Sequence, residues 1–386
     1  MKKIILITIL FATVNLFAQI YPIFGNEKAV TINGLTFDAM EPNLSTDGNA
    51  LFFNSLNNGT NTSLYYASKV NDTTFNYIGL VPIVNQTVTP RLDAVATVDS
   101  ANNFYWVTTR NYPSNIENLM RIKFLMSGYS NFGRLHGDFY INLPGYLIMD
   151  ACTNYYGNQL IYCNAYFNSC PSGLPCKSSM GIAQKVNDST FNKYANTSAI
   201  MTNINDTVNY IVYAPNITKD GLELYYTRLL KTGTQTEIMV SVRSNTNSAF
   251  SVPSLLIGAP FFAPEAPSLT ADKSKLYYHK KIGSLYKLFV QYRNVTTSII
   301  SKNIINKDVF IYPNPANSVL NIRLVNNLLE KTSISIQTII GEEVLVSEII
   351  NNNKSIDISA LQTGIYFIKL ISNNNEIFTQ KLIVGL

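Results

Sequence analysis

Charge is scarce in this sequence. Only 14% of its 386 residues are Asp, Glu, Lys or Arg, and the net charge of +5 is spread without any Lys/Arg run. So thin a distribution leaves no electrostatic footprint for nucleic acid or an anionic membrane, and neither is an expected partner. Histidine is nearly absent, with only His136 and His279, and no Gly-rich phosphate loop, dinucleotide fingerprint, GxSxG or HExxH is present. No catalytic residue, cofactor or metal is therefore nominated. Beyond the N-terminus no apolar run is long enough to cross a bilayer, so the mature chain is expected to have no transmembrane segment.

What replaces charge is aromatic and amide content, with 24 Tyr, 20 Phe and abundant Asn and Thr, the composition of a β-rich chain. The start, MKKIILITILFATVNLFAQ, sets Lys2 and Lys3 before an apolar stretch and offers Ala18 at a cleavage point. It reads as a secretory signal over residues 1–19. The absence of Cys at that point argues against a lipoprotein. All four cysteines, Cys152, Cys163, Cys170 and Cys176, lie within 25 residues, which in an exported protein points to local disulfides. Cys170 and Cys176 bracket PSGLP and are expected to pair, leaving Cys152 with Cys163. Zinc is the rival reading, but both histidines fall outside the cluster.

The sequence repeats itself. EPNLSTDGNALFFN (41–54) returns as APNITKDGLELYYT (214–227) and APSLTADKSKLYYH (266–279), and looser copies begin near residues 89 and 149. A second half of the unit recurs as KVNDTTFN (69–76) and KVNDSTFN (185–192). Asp-Gly between two β-rich runs is a tight turn, because Gly accepts positive φ and Asp bonds its own backbone. Asp47 with Gly48, Asp220 with Gly221, and Asp272 are accordingly read as structural turn residues, with no shared metal. Each unit makes a sheet of about four strands, too small to bury both faces alone. Stacked radially, such sheets form a β-propeller.

The frame resembles the Pro-Xaa-Leu-Ser-Pro-Asp-Gly repeats of TolB-like propellers, also called WD40-like or PD40 repeats, over roughly residues 35–300. Where that family has the second Pro, this chain has Thr46, Lys219 and Ala271, and Lys273 stands for the last Gly. The resemblance implies an all-β propeller over residues 20–305, with five blades, or six as the alternative. The stretch AVTINGLTF (29–37) is expected to close the ring beside the last blade. Most tyrosines of the LYY triplets, and Trp106 in FYWVTTR, are expected to pack between blades. His136 is expected in a solvated loop where it could pair with Asp138, and His279 on the propeller surface.

After Lys307 the pattern changes to short alternating strands separated by Asn-rich loops, a small β-sandwich over 308–386. The motif residues Tyr312, Pro313, Asn314 and Pro315, the turn at Gly341, the SALQTGIYFIKL strand with Gly364, Tyr366 and Lys369, and Lys381 in the terminal KLIV resemble a type A C-terminal sorting domain of the Bacteroidetes type IX secretion system. That resemblance implies secretion machinery as a partner, passage across the outer membrane, removal of the tail, and a secreted or outer-surface address. For the propeller the expectation is a binding module for an extracellular polysaccharide or protein. The alternative is a glycan-acting hydrolase or lyase with carboxylates in the channel. Asp-Thr and Asp-Ser pairs resemble the O-glycosylation acceptors of exported Bacteroidetes proteins, and Thr73 and Ser189 are the candidates in the repeated hairpin.

Overall fold

The computed structural model describes residues 21–170, 174–232, 235–258, 264–294, 309–324, 332–338, 342–349, 352–372 and 375–385. The signal segment and the turn at Gly341 lie outside them. Two compact units meet in sequence between Asn294 and Val295. The first is a five-bladed propeller, each blade a separate sheet of four or five strands. The innermost strands are Met40–Leu44, Arg91–Val98, Tyr146–Thr153, Tyr210–Ile217 and Glu265–Leu269, numbered here as blades 1 to 5.

Strand alternation explains why the aromatic triplets recur. In a strand, successive side chains point to opposite faces, so two adjacent aromatics serve two different blade interfaces. Tyr225 packs toward blade 5, in a cluster with Leu276 and Tyr278, while Tyr226 packs toward blade 3 with Ile161, Cys163 and Ile182. Tyr277 likewise joins Phe53 and Phe75 of blade 1. Trp106 is fully buried between blades 1 and 2, beside Leu64 and Met120, and its indole N–H donates to Asp93 at 3.1 Å. The core is thus five radial seams.

The ring closes differently from the expectation. Phe24–Ala29, not the stretch 29–37, forms the outer strand of blade 5, pairing with Leu285–Arg293. Thr31–Asn33 instead adds a short parallel pairing to the outer strand of blade 1. The upstream segment carries the anchors: the Phe24 ring meets Tyr225 edge-on at 6.0 Å, and Glu27 binds Lys280 at 2.6 Å and the Tyr278 hydroxyl.

The repeat turns share one geometry. The hydroxyls of Ser45, Thr218 and Thr270 donate to Asp47, Asp220 and Asp272 at 2.5, 2.6 and 2.5 Å. The backbone N–H of Asn49, Leu222 and Ser274 donates to the same carboxylates. Gly48 and Gly221 hold φ of 72° and 71°, and Lys273 holds 61° without glycine's freedom. The Lys273 ammonium reaches back to Asp220 at 2.6 Å and Glu223 at 3.1 Å, and Arg293 brackets Glu223 with two 3.0 Å bonds. This network across blades 4 and 5 offsets the strain of a side chain at positive φ.

The expected second disulfide does not form. Cys170 and Cys176 are bridged, but Cys152 and Cys163 are free and buried. In the strand register Cys152 faces Ile161 and Cys163 faces Asp150, so the thiols are not opposite each other. Each has a partner in the next blade: Cys163 Sγ donates to the Val212 carbonyl at 3.0 Å, and Ile217 N–H donates to Cys152 Sγ at 3.4 Å.

The second unit is a sandwich of a three-stranded and a four-stranded sheet around a core of Leu320, Ile322, Ile334, Ile336, Ile368 and Leu382. Its Asn314 explains the Pro-Asn-Pro turn. The Asn314 amide donates to the Lys381 carbonyl at 2.7 Å and accepts from Ile383 N–H at 2.9 Å, stitching the turn to the terminal strand. Tyr366 is buried with its hydroxyl on the Gln362 carbonyl at 2.9 Å. Gly364 opens that strand, which pairs Lys369 with Ser335 and Thr379.

A seam contact gives a clean test of this packing. Thr227 is fully buried and its hydroxyl accepts the Ala266 N–H of the next blade at 2.9 Å. Thr227→Val keeps the shape and orphans that N–H, which costs about 1–3 kcal/mol. The urea midpoint should fall accordingly and recover in Thr227→Ser; an unchanged midpoint in the valine variant would contradict the assignment.

Candidate functional site: carboxylates in the propeller channel

Every innermost strand breaks register with its neighbour, and the break is what turns side chains into the channel. The shifts lie at Met40/Asn43, Ala94/Thr97, Ile148/Asp150, Tyr213/Asn216 and Glu265/Ser268. In four blades the bulge carries a residue at positive φ: Glu41 (53°), Val95 (54°), Ala214 (48°) and Ala266 (54°). A bulge leaves backbone groups off the ladder. Here the preceding blade supplies each acceptor. Val95 N–H bonds Asn54 Oδ1 at 3.3 Å, Ala266 N–H bonds Thr227, Ala214 N–H bonds the Asp150 carboxylate, and Glu41 N–H bonds His279 Nδ1 at 3.1 Å. Blade 3 follows Val107, which has no acceptor, and its strand takes no positive φ at residues 146–153.

Three of the side chains gathered this way are carboxylates. Glu41 comes from blade 1, Asp150 from blade 3 and Glu265 from blade 5, with the Tyr213 hydroxyl of blade 4 bonded to Glu265. Asp150 is 2% exposed and His279 is fully buried, whereas the Glu265 side chain keeps 19% of its surface. Asn57, on the loop between the second and third strands of blade 1, is 3.5 Å from Glu41 Oε1. Glu41 Oε2, Asp150 Oδ2 and His279 Nε2 have no hydrogen-bond partner.

Burial dominates the electrostatics. It pushes Glu41 far above the usual carboxylate range, and the Asp150 and Glu265 carboxylates push it further. Asp150 is raised by burial against the pull of the Ala214 N–H. Glu265 is raised to about 7 by burial, opposed by the Tyr213 hydrogen bond and reinforced by Asp150. His279 is pushed down to about 3 by burial, so its ring is neutral. With Nδ1 accepting from Glu41 N–H, the proton sits on Nε2, which points at Glu265 Oε2 from 3.8 Å. The site therefore holds protonatable oxygens poised near neutrality beside one fixed N–H donor. Such groups can exchange protons with a bound molecule or read its hydroxyls.

Two residues further along the same strands, polar side chains line a small cavity of about 60 Å³ at the mouth ringed by the repeat turns. Asn43, Thr97, Asn216 and Ser268 contribute, with Tyr155 and Lys219 at the rim and the Lys219 ammonium 4.3 Å from the Tyr155 ring. At about 10–15 Å³ per water, this space takes a few waters and not a sugar ring.

The residues singled out in the sequence fall elsewhere. His136 is exposed and pairs with Glu117 at 2.9 Å rather than with Asp138, whose carboxylate instead accepts from Lys193 N–H. His279 is not on the surface. Nor does it end its strand: it stands inside Lys275–Ile282, where its Nδ1 accepts the Glu41 N–H of the next blade. Thr73 and Ser189 occupy matching hairpins, each with its N–H and its hydroxyl on the side-chain oxygen of Asn71 or Asn187, at 2.9 and 3.1 Å. Glu41, Asp150 and Glu265 escaped notice in the sequence. The available signal was a Glu before the frame's Pro42 where the later copies carry Ala214 and Ala266.

These titrations predict a pH dependence of stability. The folded state keeps carboxyl protons that the unfolded chain loses near pH 4, so Glu41, Asp150 and Glu265 make stability fall as pH rises toward their folded values, about 7 for Glu265. His279 acts oppositely, but only below its unfolded value of about 6.5. Between roughly pH 6.5 and 8 the carboxyls outweigh the fading histidine contribution. The urea midpoint should decline across that window and decline less in Glu265→Gln; a flat profile would refute the buried cluster.

Residues 310–385 match the family model of the secretion system C-terminal sorting domain. No curated protein sequence matches the chain. Among solved structures, the chain is similar to Zg3597, a family 117 glycoside hydrolase of Zobellia galactanivorans, at 10% identity and a TM-score of 0.44, covering 71% of this chain and 90% of that one. It is similar to PorZ, a surface component of the type IX secretion system of Porphyromonas gingivalis, at 12% identity and 0.33, covering 92% of this chain and 53% of PorZ. TolB from Acinetobacter baumannii follows at 8% identity and 0.36, with coverage of 66% and 54%. None of these likenesses reaches the level at which activity transfers. Residues 310–385 are a type IX sorting domain, and the chain is addressed to the cell surface or the medium.

Proposed function

We propose that the exported propeller is a recognition module that binds an extracellular polysaccharide or protein partner at its channel, after delivery by the sorting domain. The observation carrying this reading is the convergence of Glu41, Asp150, Glu265 and His279 on one channel space with three buried polar atoms unpartnered. Groups so arranged are costly to bury, and a ligand's hydrogen bonds would repay them. The propeller proposed here corresponds to residues 20–305, with the sorting domain at 308–386. Glycans on Thr73 and Ser189 belong to the same reading of an exposed exported surface, and the intact mass of the secreted protein tests them.

A second reading is favoured by one specific feature. Neighbouring carboxyls held near neutral pH can serve as a general acid and a general base, so a bound glycan could be cleaved by hydrolysis or elimination. The small cavity beside the cluster weighs against it, since cleavage needs a sugar ring seated against both groups.

Two measurements separate these proposals. The secreted full-length protein is applied to glycan and peptide arrays, and each hit is assayed for products. Binding without turnover is the expected result; product formation abolished by Glu265→Gln would reverse the ranking, and no binding to either array would remove both. Delivery is tested by deleting residues 308–386, which should leave the propeller in the periplasm; equal surface or medium levels of both forms would contradict it.

A further inference from the structure

The outer half of blade 3 carries a groove that opens to solvent. It measures about 260 Å³ and is lined by Gln184, Lys185 and Val186 of the strand Lys177–Asn187, and by Asn192, Lys193 and Tyr194 at the end of the strand Thr190–Lys193. Gln184, Val186, Asn192 and Lys193 are exposed, so nothing has to open for a ligand to reach them. At about 10–15 Å³ per water the groove has room for roughly twenty waters, more than the about eleven non-hydrogen atoms of one sugar residue require.

Strand register puts three of these side chains on one face. Gln184 and Asn192 are direct partners, and Tyr194 continues the pairing through its N–H on the Ile182 carbonyl at 3.0 Å. Gln159 Nε2 donates to the Tyr194 hydroxyl at 3.0 Å and fixes the ring, while Val186, in the bulge, adds exposed apolar surface. Among the described residues neither the Gln184 nor the Asn192 carboxamide has a hydrogen-bond partner. The matching hairpin of blade 1 uses the same frame differently. Its pair is Ser68 with Asn76, Asn76 accepts from the Asn33 amide at 2.9 Å, and Ile78 stands where blade 3 has Tyr194. Two free carboxamides beside a tyrosine are thus a property of blade 3 and not a requirement of the repeat.

Each carboxamide both donates and accepts, and two of them set side by side on paired strands, about 5 Å apart, match neighbouring hydroxyls on a ring. Tyr194 and Val186 offer apolar surface to its C–H face. No carboxylate lines the groove, and Lys185 is paired with Asp188 at 3.0 Å, so a cationic ligand would find no counter-charge. A peptide docking as an added strand needs a free sheet edge. That edge is taken, by His136–Gly137 along Thr190 and Phe191 and by the Asp138 carboxylate on the Lys193 N–H. We infer that this groove holds one sugar residue of an extracellular polysaccharide, the Gln184 and Asn192 carboxamides exchanging hydrogen bonds with its hydroxyls beside Val186 and Tyr194. This rests on reading the propeller as a recognition module, and it adds to that reading a contact outside the channel with one ligand class.

The repeat supplies its own control. Oligosaccharides from glucan, mannan, xylan, arabinan and polygalacturonate are titrated calorimetrically into the full secreted protein, beside peptides that bind it on the array. One oligosaccharide series should bind. Gln184→Ala and Asn192→Ala should each weaken that binding by about three- to tenfold, the worth of one neutral hydrogen bond. Ser68→Ala, the matching change in blade 1, should leave it unaltered. Both blade 3 positions are exposed, so the urea midpoints of their variants should stay at the wild-type value and exclude misfolding as the cause. An oligosaccharide whose affinity ignores both blade 3 changes would overturn the groove and leave the channel reading standing. Failure of every oligosaccharide to bind would overturn the groove together with the polysaccharide arm of that reading. A peptide that loses affinity in Asn192→Ala would overturn the sugar assignment in favour of a protein partner.

Discussion

The bulge in each innermost strand is the constraint on which the channel depends. A strand at the axis of a propeller must bend sharply, and the bend leaves an N–H without a ladder partner in a place that water scarcely reaches. Such a group must be satisfied by a side chain. In this protein the acceptor comes from the blade before: Asn54 for Val95, Asp150 for Ala214, Thr227 for Ala266 and His279 for Glu41. The contacts thereby do two things at once. They lock successive blades in register, and they fix where a polar group stands relative to the axis. The last link joins blade 5 to blade 1, so ring closure and the orientation of His279 are one event.

Much of this was legible in the residues. The turn frame around Asp47, Asp220 and Asp272 shows itself through Gly at positive φ and Asp bonded to its own backbone, both local effects. The LYY and LFF triplets show themselves because period-two alternation sends neighbours to opposite seams. The Pro-Asn-Pro turn marks a new unit because proline cannot continue a central strand. Local chemistry of this kind survives in any tertiary setting, which is why the all-β architecture and the position of the sandwich follow from sequence.

The channel was not legible, for an equally physical reason. Glu41, Asp150 and Glu265 are more than a hundred residues apart from one another, and only closure of the ring makes them neighbours. Nothing near Asp150 in MDACTNYYGNQ distinguishes a channel carboxylate from a turn aspartate. The same holds for His279: it lies inside the strand Lys275–Ile282, and only closure of the ring sets it against the Glu41 N–H of blade 1. Cys152 and Cys163 misled for a related reason. Nearness in sequence and an exported address favour a bridge, but hairpin register placed the thiols opposite Ile161 and Asp150 instead. Lys273 shows the reverse case, a local rule broken and compensated by a long-range ion-pair network that sequence alone does not display.

That the chain keeps three acids in its channel is informative in view of its composition. With so few charged residues overall, most blade positions at the axis have been filled by Val95, Ala214 and Ala266, and the ring demonstrably accommodates apolar residues there. Structural need accounts for part of the set: Asp150 caps the Ala214 N–H, a task that one of its oxygens completes. It does not account for Glu41, whose own backbone is clamped by His279 and whose carboxyl is met by the amides of Asn57, at 3.5 Å, and Asn54. Nor does it account for Glu265, whose place in blade 4 is taken by Tyr213. Each buried carboxyl raised toward neutrality subtracts from folding stability at physiological pH. A position that an alanine could fill at no such cost, and that instead holds an uncompensated acid, is the kind of local conflict that concentrates at functional sites.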